Sequence, residues 1–188
     1  MLEIVAFESL NRCQLGKAAD ILRTALDGPS YKGKGQAEAQ VATFLERAER
    51  FALAALEGNR LLGWIGAVRG YSRALELHPL VVDPDSQRQA VGRALVGALK
   101  DRAFLEGFLT LHLGTDDWVG GTSLGGRPLF PNVLGKLEQV QSRGKGHAYF
   151  FYLKLGFEPV GLIPDANGPG LPDILMAKAL TGEPSTNS

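Results

Sequence analysis

Apolar residues recur along the chain at two periods, and the switches between them predict its elements. Leu2 to Phe7 reads as a short strand. From Asn11 to Leu26 the apolar positions Leu15, Ala18, Ala19, Leu22 and Leu26 recur at helical spacing. A Gly/Pro/Lys loop over 27–35 leads to a second helix, Gln36 to Arg50. The period then changes. Phe51 to Glu57 and Leu61 to Arg69 are strand-like and joined by Gly58-Asn59-Arg60, a hairpin signal, and Arg73 to Val82 is a further strand. Arg88 to Glu106 carries one apolar face, Val91, Ala94, Leu95, Ala98, Leu99 and Ala103, and predicts a strong helix. Phe108 to Leu113 reads as a strand. The stretch 114–131, rich in Gly and polar residues, is long for a loop, and such loops are usually functional or mobile. Asn132 to Ser142 is a candidate helix, and His147 to Leu155 a shorter one stopped by Gly156. Glu158 to Ile163 and Asp173 to Ala179 read as closing strands. This succession predicts an α/β (α+β) protein: a mixed sheet with helices on both faces.

Composition narrows the class. A chain of 188 residues suits one compact domain, expected over 1–180, with a polar disordered tail at 181–188. The 20 basic and 20 acidic residues cancel, which argues against nucleic acid as a partner and leaves room for a small phosphate-bearing ligand. One cysteine, Cys13, permits no intramolecular disulfide and fits a reducing cytoplasm. Met1 to Phe7 lacks the pattern of a signal peptide, and no apolar run approaches the ~20 residues of a membrane span. His78, His112 and His147 lack clustered ligand spacing, so no metal site is expected.

The sharpest local signal is Gln87-Arg88-Gln89-Ala90-Val91-Gly92-Arg93-Ala94, placed between a strand and an amphipathic helix. Gly92 lets a ligand approach the backbone, and the first helical turn offers unpaired N–H groups to a phosphate, with Arg88 and Arg93 adding charge. A glycine there equally serves tight packing. In the preceding strand, period two puts Glu76 and His78 on one face and Leu75 and Leu77 on the other. Pro79 cannot donate to a ladder and predicts a bulge, which would aim the Leu80 amide into a cleft. Glu76 is the candidate base, against the alternative of an exposed strand residue or a partner for an arginine. His78 orders water and shapes a pocket, or is simply a hydrogen-bonded, partly buried ring. His112 and His147 have weaker claims. Asp116 and Asp117 stand where they could attract a cationic substrate, with Asp165 and Asp173 adding to this; each is also a residue type that caps helices and makes turns.

Taken in order, these segments resemble the GNAT superfamily of N-acetyltransferases. Gln89-Ala90-Val91-Gly92-Arg93-Ala94 matches the Gln/Arg-x-x-Gly-x-Gly/Ala motif, and Phe151-Tyr152-Leu153-Lys154-Leu155-Gly156-Phe157 resembles the aromatic-Tyr-x-Lys-x-Gly-Phe segment. Glu76 to Val82, Leu113-Gly114-Thr115-Asp116-Asp117, Gly121 to Leu124, Tyr149 to Tyr152, Gly161 to Gly168 and Leu171 to Lys178 extend the likeness over 61–180 to the aminoglycoside 6'-N-acetyltransferases. The resemblance implies a mostly antiparallel sheet of six to seven strands with a central splayed parallel pair. It implies acetyl-CoA as cosubstrate, a small-molecule amine as acceptor, a homodimer, and antibiotic resistance as a consequence. Cofactor contacts would come from Leu80, Val81, Val82, Arg88 through Ala94 (Arg88, Gln89, Ala90, Val91, Gly92, Arg93, Ala94), Thr115 and Lys154. The Leu80 amide would bind the thioester carbonyl, Glu76 would act as base, and Tyr152 would protonate the departing thiolate or, as the alternative reading, serve as an amphipathic core residue. Glu76, Asp116 and Asp117 would face the acceptor. The loop between the first two helices departs from the pattern: Asp27-Gly28-Pro29-Ser30-Tyr31-Lys32-Gly33-Lys34 carries two lysines and no tryptophan, and a basic lid repels a polycation. A protein or peptide amine acetyltransferase and a non-catalytic CoA-binding domain are the two alternatives.

Overall fold

The computed structural model describes residues 1–26, 28–144 and 146–180; the tail expected at 181–188 lies outside the described residues. The chain forms two compact units, one of Met1–Leu111 with Leu180 and one of His112–Ala179.

The first unit holds β1 (Leu2–Ala6), α1 (Arg12–Ala25), α2 (Gln36–Glu46), β2 (Arg50–Glu57), β3 (Arg60–Val68), β4 (Ala74–Val82) and α3 (Val91–Leu105). Strands β1 to β4 lie side by side in chain order, each antiparallel to the next. Helices α1 and α2 close over one face, burying Ala18, Ile21, Leu22, Val41 and Phe44 against Ala52, Ala54 and Trp64. Trp64 is fully buried between Phe7 and Phe44, at centroid distances of 5.0 and 5.4 Å, and its indole N–H donates to the Ala18 carbonyl at 3.1 Å. The ring thus contributes apolar area without leaving a polar atom unpaired. Strand alternation turns Phe51, Leu53 and Ala55 to the opposite face, and α3 packs on β2, β3 and β4. The expected two-sided cover by helices is present within this unit. At its start, α1 is closed by a capping box: the Asn11 side chain accepts from the Gln14 amide, and the Gln14 side chain accepts from the Asn11 amide.

The second unit begins inside β5 (Thr110–Asp116) and continues through α4 (Val133–Glu138), α5 (Ala148–Lys154), β6 (Glu158–Ile163) and β7 (Asp173–Ala179). Strand β7 lies between β5 and β6, and β6 and β7 pair antiparallel. Seven strands among the described residues agree with the expected six to seven.

Among the boundaries that differ from the sequence reading, four have a clear local reason. Helix α2 stops at Glu46, because Arg50 already pairs with Val68 in the sheet. Helix α3 starts at Val91 rather than Arg88, because Arg88 and Ala90 take left-handed backbone angles, φ 59° and 63°, that no right-handed helix can include. Strand β5 starts two residues late, because Phe108 still belongs to the α3 terminus: its amide bonds to the Ala103 carbonyl and that of Gly107 to Phe104, a Schellman closure. Helix α4 spans only 133–138, because Gln141 and Arg143 pair with Ser123 and Gly121 instead. Among the described residues no helix is long and apolar enough to cross a membrane.

Candidate functional site

In the first unit, β4 alternates along its length, with Leu75, Leu77, Pro79 and Val81 buried and Glu76, His78, Leu80 and Val82 half-buried. The expected bulge is present. Pairing runs from Ile65 opposite Leu80 to Ala67 opposite Leu77, so His78 and Pro79 together oppose Gly66. Gly66 makes this possible: a Cβ there would run into the His78 carbonyl and the Phe44 ring. Glu76 and His78 therefore share a face, as period two requires, with Leu80 just past the bulge. His78 is not isolated. Its Nε2 lies 3.0 Å from the hydroxyl of Tyr31, in the loop between α1 and α2. That loop and α2 line a cavity of about 610 Å3 whose walls are Pro29, Ser30, Tyr31, Gln36, Gln40 and Thr43. Sequence reasoning assigned Tyr31 no role; the signal was one phenol in a loop otherwise made of Gly, Pro, Ser and Lys.

The expected repulsion by a basic lid is only half supported. The Lys32 ammonium folds back onto the carbonyls of Arg23 and Leu26, at 2.8 Å each, and satisfies the C-terminal end of α1. Lys34 is exposed.

After β4 the chain makes a short 3-10 turn, Pro84–Ser86, and then the loop that enters α3. This approach is stapled to the unit. Asp83, 5% exposed, holds Lys17 of α1 at 2.8 Å and accepts from the Asp85 amide; buried Ser86 receives Arg60 at 3.1 Å. Lys17 holds the Asp83 carboxyl below the ordinary carboxylate range, its hydrogen bond outweighing burial. These four residues carry no sequence signature and were not anticipated.

The loop residues Arg88, Gln89 and Ala90 are exposed. Left-handed conformations at Arg88 and Ala90, followed by the right-handed turn of Val91, bring successive N–H groups to one side, the arrangement of an anion nest. No side chain caps the first turn of α3, and that turn has no acidic residue. Asn11 closes α1 with its own side chain; α3 leaves its N–H groups open beside Arg88 and Arg93. Gly92 and Ala94 in this turn are half-buried and Arg93 is exposed, while Val91 is core. Of the three strand residues expected at the cofactor, Leu80 and Val82 are half-buried, and the Val81 side chain is spent in the core, leaving only its backbone.

In the second unit the expected acids separate into two kinds. Asp117 is a correction: its side chain is wholly buried and does not face a substrate. Its oxygens accept from the amides of Gly121, at 2.7 Å, and Thr122, at 3.0 Å, and from the Thr122 hydroxyl at 2.6 Å. Burial alone would push this carboxyl up, but the bonds from Thr122 and Gly121 win and hold it below its ordinary value. Asp117 therefore anchors the 114–131 loop, and Gly125 is small so that the carboxylate fits, a Cβ there coming within 2.7 Å of it. Asp116 is exposed, with Oδ1 accepting from Asn167 at 2.5 Å. Asp165 makes a turn, accepting from the Gly170 amide at 2.6 Å. His147 caps α5, its Nδ1 accepting from the Tyr149 amide at 3.1 Å. An Nδ1 that accepts leaves Nε2 as the donor, and it lies 3.0 Å from the Asp116 carbonyl. Thr115 is buried and Lys154 exposed.

Tyr152 owes its place to the end of α5. The Gly156 amide bonds to the Leu153 carbonyl and the Phe157 amide to that of Tyr152, at 3.0 and 3.1 Å, with Gly156 at φ 78°. This is a Schellman motif, and it demands a residue that adopts positive φ without strain. Its usual apolar contact is the pair Tyr152–Phe157, with rings 5.4 Å apart. The segment Tyr-x-x-x-Gly-Phe is therefore a device that pins one phenol. Burial pushes the Tyr152 hydroxyl well above the ordinary tyrosine range. Among the described residues no three His, Cys, Asp or Glu side chains gather as a metal site would need.

Comparison with known proteins follows the same residues. Residues 19–120 match the model of the acetyltransferase (GNAT) family. Among solved structures, the chain is similar to an aminoglycoside 6'-N-acetyltransferase crystallised with coenzyme A, with 36% identity, a TM-score of 0.87, and 97% of this chain and 99% of that one covered. It is similar to the aminoglycoside 6'-N-acetyltransferase from Enterococcus faecium at 34% identity and TM-score 0.84, and to an aminoglycoside 6'-acetyltransferase type Ii at 32% and 0.72, with the same coverage. No curated protein sequence gives a significant match.

Proposed function

The chain belongs to the GNAT acetyltransferase family, and from that premise we propose that it carries the acetyl group of acetyl-CoA to the 6'-amine of an aminoglycoside. Acetyl-CoA-dependent N-acetylation and the α/β GNAT fold come with the family. The choice of acceptor is carried by one observation: likeness to aminoglycoside 6'-N-acetyltransferases runs over 97% of the chain. The Lys32 ammonium keeps its charge but is held against the carbonyls at the C-terminal end of α1.

Acetyl-CoA, when bound, supplies the reactive thioester. The residues present fit its diphosphate: an uncapped 15-residue helix, two left-handed residues turning amides outward, and Arg88 and Arg93. We assign the pyrophosphate to Arg88 through Ala94, and neighbouring contacts to Leu80, Val82, the Val81 backbone, Thr115 and Lys154. Glu76 accepts a proton from the ammonium of the acceptor, directly or through water. The freed amine forms the C–N bond as the C–S bond breaks, and the second proton on that nitrogen passes, directly or through water, to the departing thiolate, leaving a neutral amide and a thiol. The Leu80 amide, just beyond the bulge, donates to the carbonyl oxygen as it gains charge; a fixed donor of this kind contributes ~3 kcal/mol to the barrier. His78 shapes the acceptor face beside Glu76, and Asp116 attracts the cation. For Tyr152 we propose a hydrogen bond to the departing sulfur. A phenol raised by burial stays protonated at working pH, and, being a weaker acid than a thiol of pKa about 8.5, it hydrogen-bonds the sulfur without net loss of its proton.

A cytoplasmic homodimer and a resistance role belong to the same reading. Phe130, Leu134, Val160 and Ile163 leave apolar surface exposed on the second unit, which a second copy would cover.

The test is an acceptor panel. Purified protein, acetyl-CoA and a thiol reagent are combined with aminoglycosides, polyamines and peptides. Turnover is expected with aminoglycosides bearing a 6'-amine and not with those lacking it. Preference for a peptide N-terminus would replace the acceptor, and CoA binding without turnover of any amine would favour a non-catalytic domain.

A further inference from the structure

The cavity beside α2 and the acceptor face of β4 are joined by a single side chain. Tyr31 lends its ring to the cavity wall and its hydroxyl to His78 Nε2, at 3.0 Å. His78 shares the half-buried face of β4 with Glu76, two residues away. With Nε2 committed to Tyr31, the imidazole cannot flip without breaking that bond.

The loop that presents Tyr31 is tied down on both sides. Lys32 donates its ammonium to Arg23 and Leu26 and its amide to the Pro29 carbonyl at 3.2 Å, and the Gly33 amide donates to Gln36 Oε1 at 2.8 Å. Tyr31 itself sits at φ 68°, a conformation that is strained for a non-glycine residue and persists only where the surroundings over-determine it. Half-buried and packed against the core of the first unit, the ring has a fixed direction.

We infer that Tyr31 is a positioning residue for the acceptor, registering whatever lodges in the α2 cavity against the Glu76–His78 face of β4. Among the described residues the cavity walls contain hydroxyl and carboxamide groups, from Ser30, Gln36, Gln40 and Thr43, and no charged side chain, so they suit the hydroxyl-bearing part of a sugar rather than its ammonium groups. The role rests on the function proposed above and adds to it the residue that links remote binding to the reacting amine.

The experiment compares wild type, Y31F, H78A and Y31F/H78A in steady-state kinetics with an aminoglycoside, alongside melting temperatures. Y31F keeps the ring and removes the hydroxyl. It should raise the acceptor KM about fivefold, the scale of one hydrogen bond, while the acetyl-CoA KM and Tm stay unchanged. In the double variant the loss should not add to that of H78A, because the two residues act through one bond. Long-range 1H–15N spectra of the His78 ring should differ between wild type and Y31F. An active Y31F with an unaltered acceptor KM overturns the role while leaving the enzyme's function standing. Equal losses for both substrates, or fully additive losses in the double variant, also overturn it. Absence of turnover by the wild type overturns the function and this role with it.

Discussion

In the reaction proposed above, Glu76 is the residue on which the proton balance turns. An alkylammonium has no lone pair, so a base must act before the C–N bond forms. Replacing Glu76 by Gln keeps the shape and removes the basicity. We expect kcat at neutral pH to fall about a hundredfold, the lower range for a positioned base, with the acetyl-CoA KM unaltered. The deficit should narrow at high pH, where the amine is already free, and a flat kcat–pH comparison would remove Glu76 from the reaction. At this scale the sequence was legible where a strand's period of two decides the face, as for Glu76 and His78. It was misleading for Asp117, whose oxygens are taken by amides four and five residues downstream. Composition cannot tell a carboxylate that meets substrate from one consumed by its own loop.

Among the elements, α3 and α5 show why two short motifs are informative. At α5, the Gly-Phe pair closes the helix and pins Tyr152, so the pattern records a backbone requirement. At α3, the turn was placed correctly in the sequence, but the helix begins three residues later than apolar periodicity suggests. The left-handed angles at Arg88 and Ala90 are invisible to it, because neither residue type favours them. Substituting Asp for Gly92 tests the assignment of that turn. A carboxylate at the second helical position supplies the missing acceptor for the open amides and favours the helix by ~0.3–1 kcal/mol. It also fills the seat of the diphosphate and repels it. We expect Tm to hold or rise while acetyl-CoA binding, read by calorimetry, weakens at least a hundredfold. Normal affinity would move the pyrophosphate elsewhere. The staple of Lys17, Asp83, Arg60 and Ser86 was beyond reach of the sequence, since its members lie far apart in the chain and meet only through β3, β4 and α1.

For the molecule as a whole, buried ionisable groups set a pH window. Asp83 in the first unit and Asp117 in the second both titrate below their unfolded value of about 3.9. In the acid range the unfolded chain then binds more protons than the native one. Their contribution is fully present above pH ~4 and is lost as pH falls through the native values. Tyr152 and Tyr149 are shifted the other way, upward, by burial. Their contribution is present below about pH 10, the unfolded value, and is lost as pH rises beyond it. Thermal melts from pH 2 to 11 should show a plateau with falling limbs on both sides. D117N should flatten the acid limb, and an acid limb identical to wild type would show that this carboxylate does not control it. The strand and helix order was largely readable across the molecule because two hydrophobic periods are hard to confuse over seven strands and three long helices. The division at β5 was not, since no linker composition marks it.

The open amides at the start of α3 have one more consequence. On the assignment proposed above, a nucleotide diphosphate settling on them would complete a piece of backbone that the polypeptide leaves unfinished, and the acyl carrier would become part of the scaffold it visits. At a hundredfold excess over its dissociation constant, such a guest adds ~2.7 kcal/mol to the native state. On that assignment the melting temperature should climb with the concentration of added coenzyme A.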